Sequence, residues 1–121
     1  MPNKTATILK NPESLKFLQD PMLATLKLHP AWKNDFTLFQ SETLLKNHPP
    51  YTYLLRPGET PYHFLISYVK NDSTIQHIPF KIELTLRKWS YRNGIGIISE
   101  DLDEFIPLVM HCKKNECRSA I

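Results

Sequence analysis

The residues best suited to chemistry sit in one short stretch, Tyr51-Thr52-Tyr53-Leu54-Leu55-Arg56, an apolar run that ends on an arginine and breaks at Pro57-Gly58-Glu59-Thr60. Strand alternation places Tyr51, Tyr53 and Leu55 on one face, and Leu54 and Arg56 on the other. An arginine that shares a strand face with leucine is expected to be walled in, and a buried arginine is rare without an anionic partner. Glu59 is the best nearby carboxylate, but it lies beyond the turn. Two readings stay open on these residues alone: a partner that does not belong to the protein, or an arginine that snorkels to water from the strand end.

A second group, His111, Cys112 and Cys117, contains both cysteines of the chain. Its spacing is not that of a standard zinc pair and no second ligand cluster accompanies it, so no metal is expected. Cys112 has no evident electropositive surroundings, which argues against a nucleophile. There is no Gly-rich nucleotide loop and no Ser/His/Asp set, so neither an enzyme nor a cofactor is expected. A reduced, cytoplasmic chain is the simplest reading of the cysteine content. No charged-then-apolar leader follows Met1 and no apolar run is long enough to span a bilayer, so the expectation is a soluble protein without a membrane partner.

These groups must be positioned by a single domain, since 121 residues allow one real core and not two. A hydrophobic share of 41% with dispersed aromatics indicates a folded globule. The net charge of +3 fits an anionic partner without selecting one. Lys and Arg form no block, which weakens nucleic acid as that partner.

Asn11-Pro12 and Asp20-Pro21 each pair a capping residue with a proline suited to the first helical turn, predicting short helices over roughly 12–19 and 21–29. Their expected buried stripe is Leu15, Leu18, Met22, Leu23 and Leu26, and residues 1–30 read as a helical extension of a 31–121 domain. Thr37 is a plausible cap for a helix to about Asn47 that buries Phe39, Leu44 and Leu45. Strands are expected from Tyr51, from Tyr62 to Lys70 and from Thr74 to about Arg87, joined by short polar turns into an antiparallel meander. Along the third strand, Ile78, Phe80 and Ile82 share one face while His77 and Lys81 share the other. A small strand over 95–98 follows. A last helix, capped by Ser99 and acidic in its first turn, would carry Leu102, Phe105, Leu108 and Val109 as its stripe, with Pro107 awkward inside it.

This order of elements resembles the Src-homology-2 (SH2) domain, and particular residues carry the likeness. Ser41-Glu42-Thr43-Leu44-Leu45 resembles the family's first-helix pattern, and Tyr53-Leu54-Leu55-Arg56 its Phe-Leu-Val-Arg strand. Phe64-Leu65-Ile66-Ser67-Tyr68 resembles the next strand, and Ile75-Gln76-His77-Ile78 the one after. The likeness covers about residues 32–118. It implies an α+β fold with a central three-stranded antiparallel sheet flanked by two helices, here with an extra N-terminal helical segment. It also implies a non-catalytic, monomeric module whose partners are tyrosine-phosphorylated proteins or peptides. Arg56 matches the family's phosphate-binding arginine, Gly58, Glu59 and Thr60 its phosphate-cradling loop, and His77 its central-strand histidine.

The departures are specific. Leu38 stands where many members carry a second arginine, and Gly58 where a serine is usual. Pro79 occupies the place of a frequent lysine, a role that Lys81 takes only if the strand slips by two residues. The region after the last helix is short, which implies low selectivity for residues flanking the phosphotyrosine. This stripped form is similar to family members among bacterial effectors, which act in the host cytoplasm. The competing reading is a small basic α+β domain that binds nucleic acid through Tyr53, Tyr62, Phe64 and Tyr68 on a sheet face.

Overall fold

A computed structural model describes residues 20–91 and 97–121. The expected helix over 12–19, with Leu15 and Leu18, lies outside the described residues. The described chain is an α+β domain of three helices and a curled, mixed six-stranded sheet. In chain order the elements are α1 (Pro21–Lys27), α2 (Leu38–Leu45), β1 (Thr52–Pro57), β2 (His63–Val69), β3 (Ile75–Glu83), β4 (Lys88–Tyr91), β5 (Ile97–Ser99), α3 (Leu102–Met110), a 3-10 turn (Lys114–Glu116) and β6 (Arg118–Ser119). The sheet order is β5-β4-β3-β2-β1-β6. No described helix is long and apolar enough to cross a membrane.

The three-stranded meander is present as β1–β2–β3, antiparallel throughout. The sheet extends beyond it on both sides. The run expected as one strand to Arg87 breaks after Glu83, and the chain returns as β4, whose Trp89 pairs with Ile82. On the opposite edge β6 lies parallel to β1, through Thr52 with Arg118 and Tyr53 with Ser119. Trp32 bridges Leu55 farther along the same edge. The segment around Trp32 accepts the Leu55 amide at the Ala31 carbonyl and donates the Lys33 amide to the Leu55 carbonyl. The free edge of β1 is therefore covered by two short pieces of chain, as unpaired strand edges usually are.

The two sheet faces differ in content, as period-two alternation demands. Tyr53, Leu55, Phe64, Ile66, Tyr68, Ile78, Phe80, Ile82 and Trp89 point into the main core. That core is closed by Leu23 and Leu26 of α1 and by Leu102, Phe105, Ile106, Val109 and Met110 of α3. Phe80 is its hub, with ring centroids 5.5 Å from Phe64, 5.6 Å from Phe105 and 6.1 Å from Trp89. The other face carries a small cluster in which Leu54 and Val69 pack against Leu45 of α2. The rest of that face holds the polar residues of interest.

Helix starts follow cap chemistry. Asp20 accepts the amides of Met22 and Leu23 and also takes Arg87 Nη2 at 2.7 Å, tying α1 to the β3–β4 turn. Thr37 and Gln40 form a reciprocal capping box on α2. The cap of α3 is Asp101, not Ser99. β5 runs through Ser99, whose hydroxyl instead accepts the Asp101 amide. Pro107 lies inside α3 and is buried.

Two apolar assignments fail for reasons of phase. In α2 the buried positions are Ser41 and Leu45, four residues apart, which turns Phe39 to the far side, where it is 75% exposed. Ser41 is buried because its hydroxyl donates to the Thr37 carbonyl at 2.8 Å. In α3, Ile106 and Met110 take the place expected of Leu108, which faces out.

Leu26 is sealed in the main core, whereas Leu28 two residues on is 83% exposed. Leu26→Ala should cost about 2–5 kcal/mol of unfolding free energy. Leu28→Ala should change it by less than about 0.5 kcal/mol. Urea denaturation of both variants checks the assignment, and equal costs would place α1 outside the cooperative unit.

Candidate functional site

Arg56 lies on the polar face of β1, 7% exposed. Register explains what surrounds it. Leu54, Ser67 and His77 form one cross-strand row, and Arg56, Leu65 and Pro79 form the next. The guanidinium leans diagonally into the first row, where Nε donates to Ser67 Oγ at 3.0 Å and Nη2 meets His77 Nδ1 at 3.3 Å. Ser67 Oγ is itself 2.7 Å from that Nδ1. His77 Nε2 contacts Glu42 Oε2 of α2 at 2.9 Å.

The directions of these bonds are forced. A guanidinium only donates, so Nδ1 accepts, and the imidazole proton sits on Nε2 and is donated to the carboxylate. Ser67 accepts from Arg56 and passes its own proton to Nδ1. The result is a relay from Arg56 through Ser67 and His77 to Glu42.

No carboxylate among the described residues lies within ion-pair distance of Arg56. Loss of water around the cation lowers its pKa, and the more distant charge of Glu42 offsets part of that. The relay uses two of the five N–H donors a guanidinium carries. Nη1 has no partner among the described residues, and no buried side-chain nitrogen or oxygen is left unpartnered. Nη1 is therefore the part of the group that stays open to the surface.

The loop that follows β1 carries donors of its own. Gly58 is needed for its shape: a Cβ there would fall 2.8 Å from the His63 carbonyl, and its N–H already donates to that oxygen at 2.9 Å. The Gly58 amide is thus committed to the turn rather than to a ligand. The amides of Glu59 and Thr60 have no partner among the described residues, and both residues are exposed. His63 Nδ1 contacts both the Pro61 carbonyl at 3.0 Å and Thr60 Oγ1 at 2.8 Å. The carbonyl can only accept, so Nδ1 carries the proton and the Thr60 O–H stays free to donate elsewhere.

Arg56 and His77 are brought together, whereas Glu59 and Thr60 lie beyond the Pro57–Phe64 row at the C-terminal end of β1, and the guanidinium leans away from them toward Ser67 and His77. Lys81 shares the face of His77 but lies two rows away, opposite His63, and pairs with Glu83 at 3.2 Å. Ser67 and Glu42 complete the relay although neither was singled out as a site residue. Both had been quoted within strand and helix patterns, and the signal that finds Ser67 is its cross-strand pairing with His77. Tyr53, Phe64 and Tyr68, considered as a stacking platform, are buried in the main core. Among the described residues no three His, Cys, Asp or Glu side chains are placed to hold a metal ion. No protein-family model matches the chain, and no curated protein matches it.

Ser67→Ala would strand the Arg56 Nε–H and should destabilise the protein by about 1–3 kcal/mol. Arg56→Met removes the buried charge itself and lets Ser67 and His77 pair with each other. It should leave the unfolding free energy within about 1 kcal/mol of the parent, or above it. Chemical denaturation of the two variants side by side checks this order.

Proposed function

We propose that this chain is a non-catalytic module of SH2-like design that binds phosphotyrosine-containing peptides. The observation that carries the reading is Arg56, a buried guanidinium with no carboxylate partner among the described residues, unused donors and an open Nη1. A phosphate on tyrosine brings roughly −1.5 to −2 charges and three acceptor oxygens, which matches what Arg56 lacks. Two parallel guanidinium N–H groups can meet two of those oxygens. By resemblance to the family's phosphate-cradling turn, the open amides of Glu59 and Thr60 and the Thr60 hydroxyl are the donors proposed for the third.

Depth is the reason for choosing tyrosine. Arg56 is buried while Glu59 and Thr60 are at the surface, so the ligand's phosphate must travel inward from the peptide backbone. The tyrosyl ring supplies that reach and phosphoserine does not. Leu65 and Pro79, in the same cross-strand row as Arg56, are the apolar groups on hand to flank a ring on this face.

Low selectivity for flanking residues belongs to the same proposal. The chain after α3 folds back as the 3-10 turn and β6 against β1, at the opposite edge from β3 and β4. It offers no wall there for a second side-chain pocket.

Titration against phosphotyrosine peptides tests the reading. Arg56→Lys keeps the charge and loses the fork, and should weaken binding markedly. Arg56→Ala should weaken it by about 2–5 kcal/mol, roughly 30-fold to several-thousand-fold. Phosphoserine peptides should bind far more weakly than phosphotyrosine peptides. Unaltered phosphotyrosine affinity in a folded Arg56→Ala variant would end the proposal. Across a peptide array most phosphotyrosine sequences should fall within about tenfold of one another, about 1.4 kcal/mol. A strong preference at one downstream position would point instead to the Leu84 and Leu86 turn as a wall.

A further inference from the structure

We propose that Cys112 and Cys117 form an intramolecular disulfide that fastens the C-terminal strand to the end of α3, with a small disulfide of the oxidised-glutathione class as the oxidant. The two sulfurs lie 2.6 Å apart. Even non-bonded carbon atoms prefer about 3.5–4.0 Å, so packing has already brought this pair to bonding approach.

Each cysteine is held by its own backbone contacts. His111 turns into the left-handed region at φ 59°, and the Cys112 amide then donates to the Pro107 carbonyl at 3.1 Å. Cys117 ends a 3-10 turn closed by the Lys113 amide on Glu116 Oε1 at 2.7 Å. The next amide, that of Arg118, donates to the Tyr51 carbonyl at 3.0 Å. Both thiols are half-buried against the main core.

Burial raises both thiols, Cys112 to about 12. The thiolate formed at either cysteine attacks one sulfur of oxidised glutathione, breaking that S–S bond and releasing a glutathione thiolate. The other cysteine then gives up its proton and attacks the sulfur that carries glutathione, which breaks the mixed disulfide and expels the second glutathione thiolate. The cysteines lose two electrons and two protons, and the oxidant gains both as two thiols.

The consequence falls on β6, which is two residues long. It is held to β1 by the Arg118 amide on Tyr51 and by the Ala120 amide on the Tyr53 carbonyl at 2.9 Å. A covalent link one residue upstream keeps this edge from fraying. The proposal is independent of the phosphotyrosine reading.

The test equilibrates the full chain in glutathione buffers of stepped oxidised-to-reduced ratio, then quenches with a thiol-alkylating reagent for intact-mass analysis. At the oxidised end the monomer should be lighter by two hydrogens and carry no alkyl label, and at the reduced end it should carry two labels. The Arg118 and Ala120 amides should exchange more slowly in the oxidised form. Cys112→Ser and Cys117→Ser should each stop at a glutathione adduct on the cysteine that remains. Two labels persisting at the oxidised end, or a disulfide-linked dimer, would overturn the disulfide. Equal amide exchange in both forms would overturn its fastening role.

Discussion

Burial of the Arg56 charge without a counter-charge in contact among the described residues is the constraint on which the polar half of this domain rests. Withdrawing a guanidinium from water costs several kcal/mol unless its donors are met. Here a serine and an imidazole meet two of them, and a carboxylate one step removed completes the relay. Glu42 sits on the far side of His77, so it orders the imidazole and biases the field without neutralising Arg56 directly. A carboxylate in direct contact would satisfy the cation and close the site. Held through the relay, Arg56 keeps its fork aimed and its outer nitrogen open.

The rest of the fold supplies the rigidity this requires. β1 is paired with β2 on one edge and covered by the Trp32 segment and β6 on the other. Its apolar face is locked into a core closed by α1 and α3, which leaves the polar face fixed in register with Ser67 and His77. α2 is anchored by its capping box and by Leu45, and the same helical phase delivers Glu42 to His77 while turning Phe39 outward. One sheet therefore has an apolar face in the main core and a polar face that carries the Arg56 relay, and β1 contributes to both.

Much of this was legible because it follows from period and caps. The alternation around Arg56, the meander, the shared face of His77 and Lys81, and the proline-led start at Pro21 are all local in sequence. What was not legible depends on contacts between distant residues. The partnership of Ser67 with Arg56 requires the β1–β2 register, and that of Glu42 with His77 requires the seating of α2 on the sheet. The break after Glu83 follows no Gly or Pro, so the preceding strand was expected to run on to Arg87 and β4 was not expected at all. β6 is too short and polar to show periodicity and exists because the edge of β1 needs covering. Gly58 was legible as a turn residue, but only the structure shows that its amide is already committed to His63.

The most direct measurement follows the Arg56 side chain itself by nitrogen-15 NMR while the protein is titrated with a phosphotyrosine peptide. Arg56 Nε–H is bonded to Ser67 in the free protein and should give a resolved signal before any ligand is added. On the proposed reading, its Nη resonances should sharpen and shift as the phosphate fixes the fork, reaching a limit at the same occupancy as the binding isotherm. Saturable peptide binding that leaves every Arg56 side-chain resonance in place would contradict the claim that the missing partner of this arginine is the phosphate.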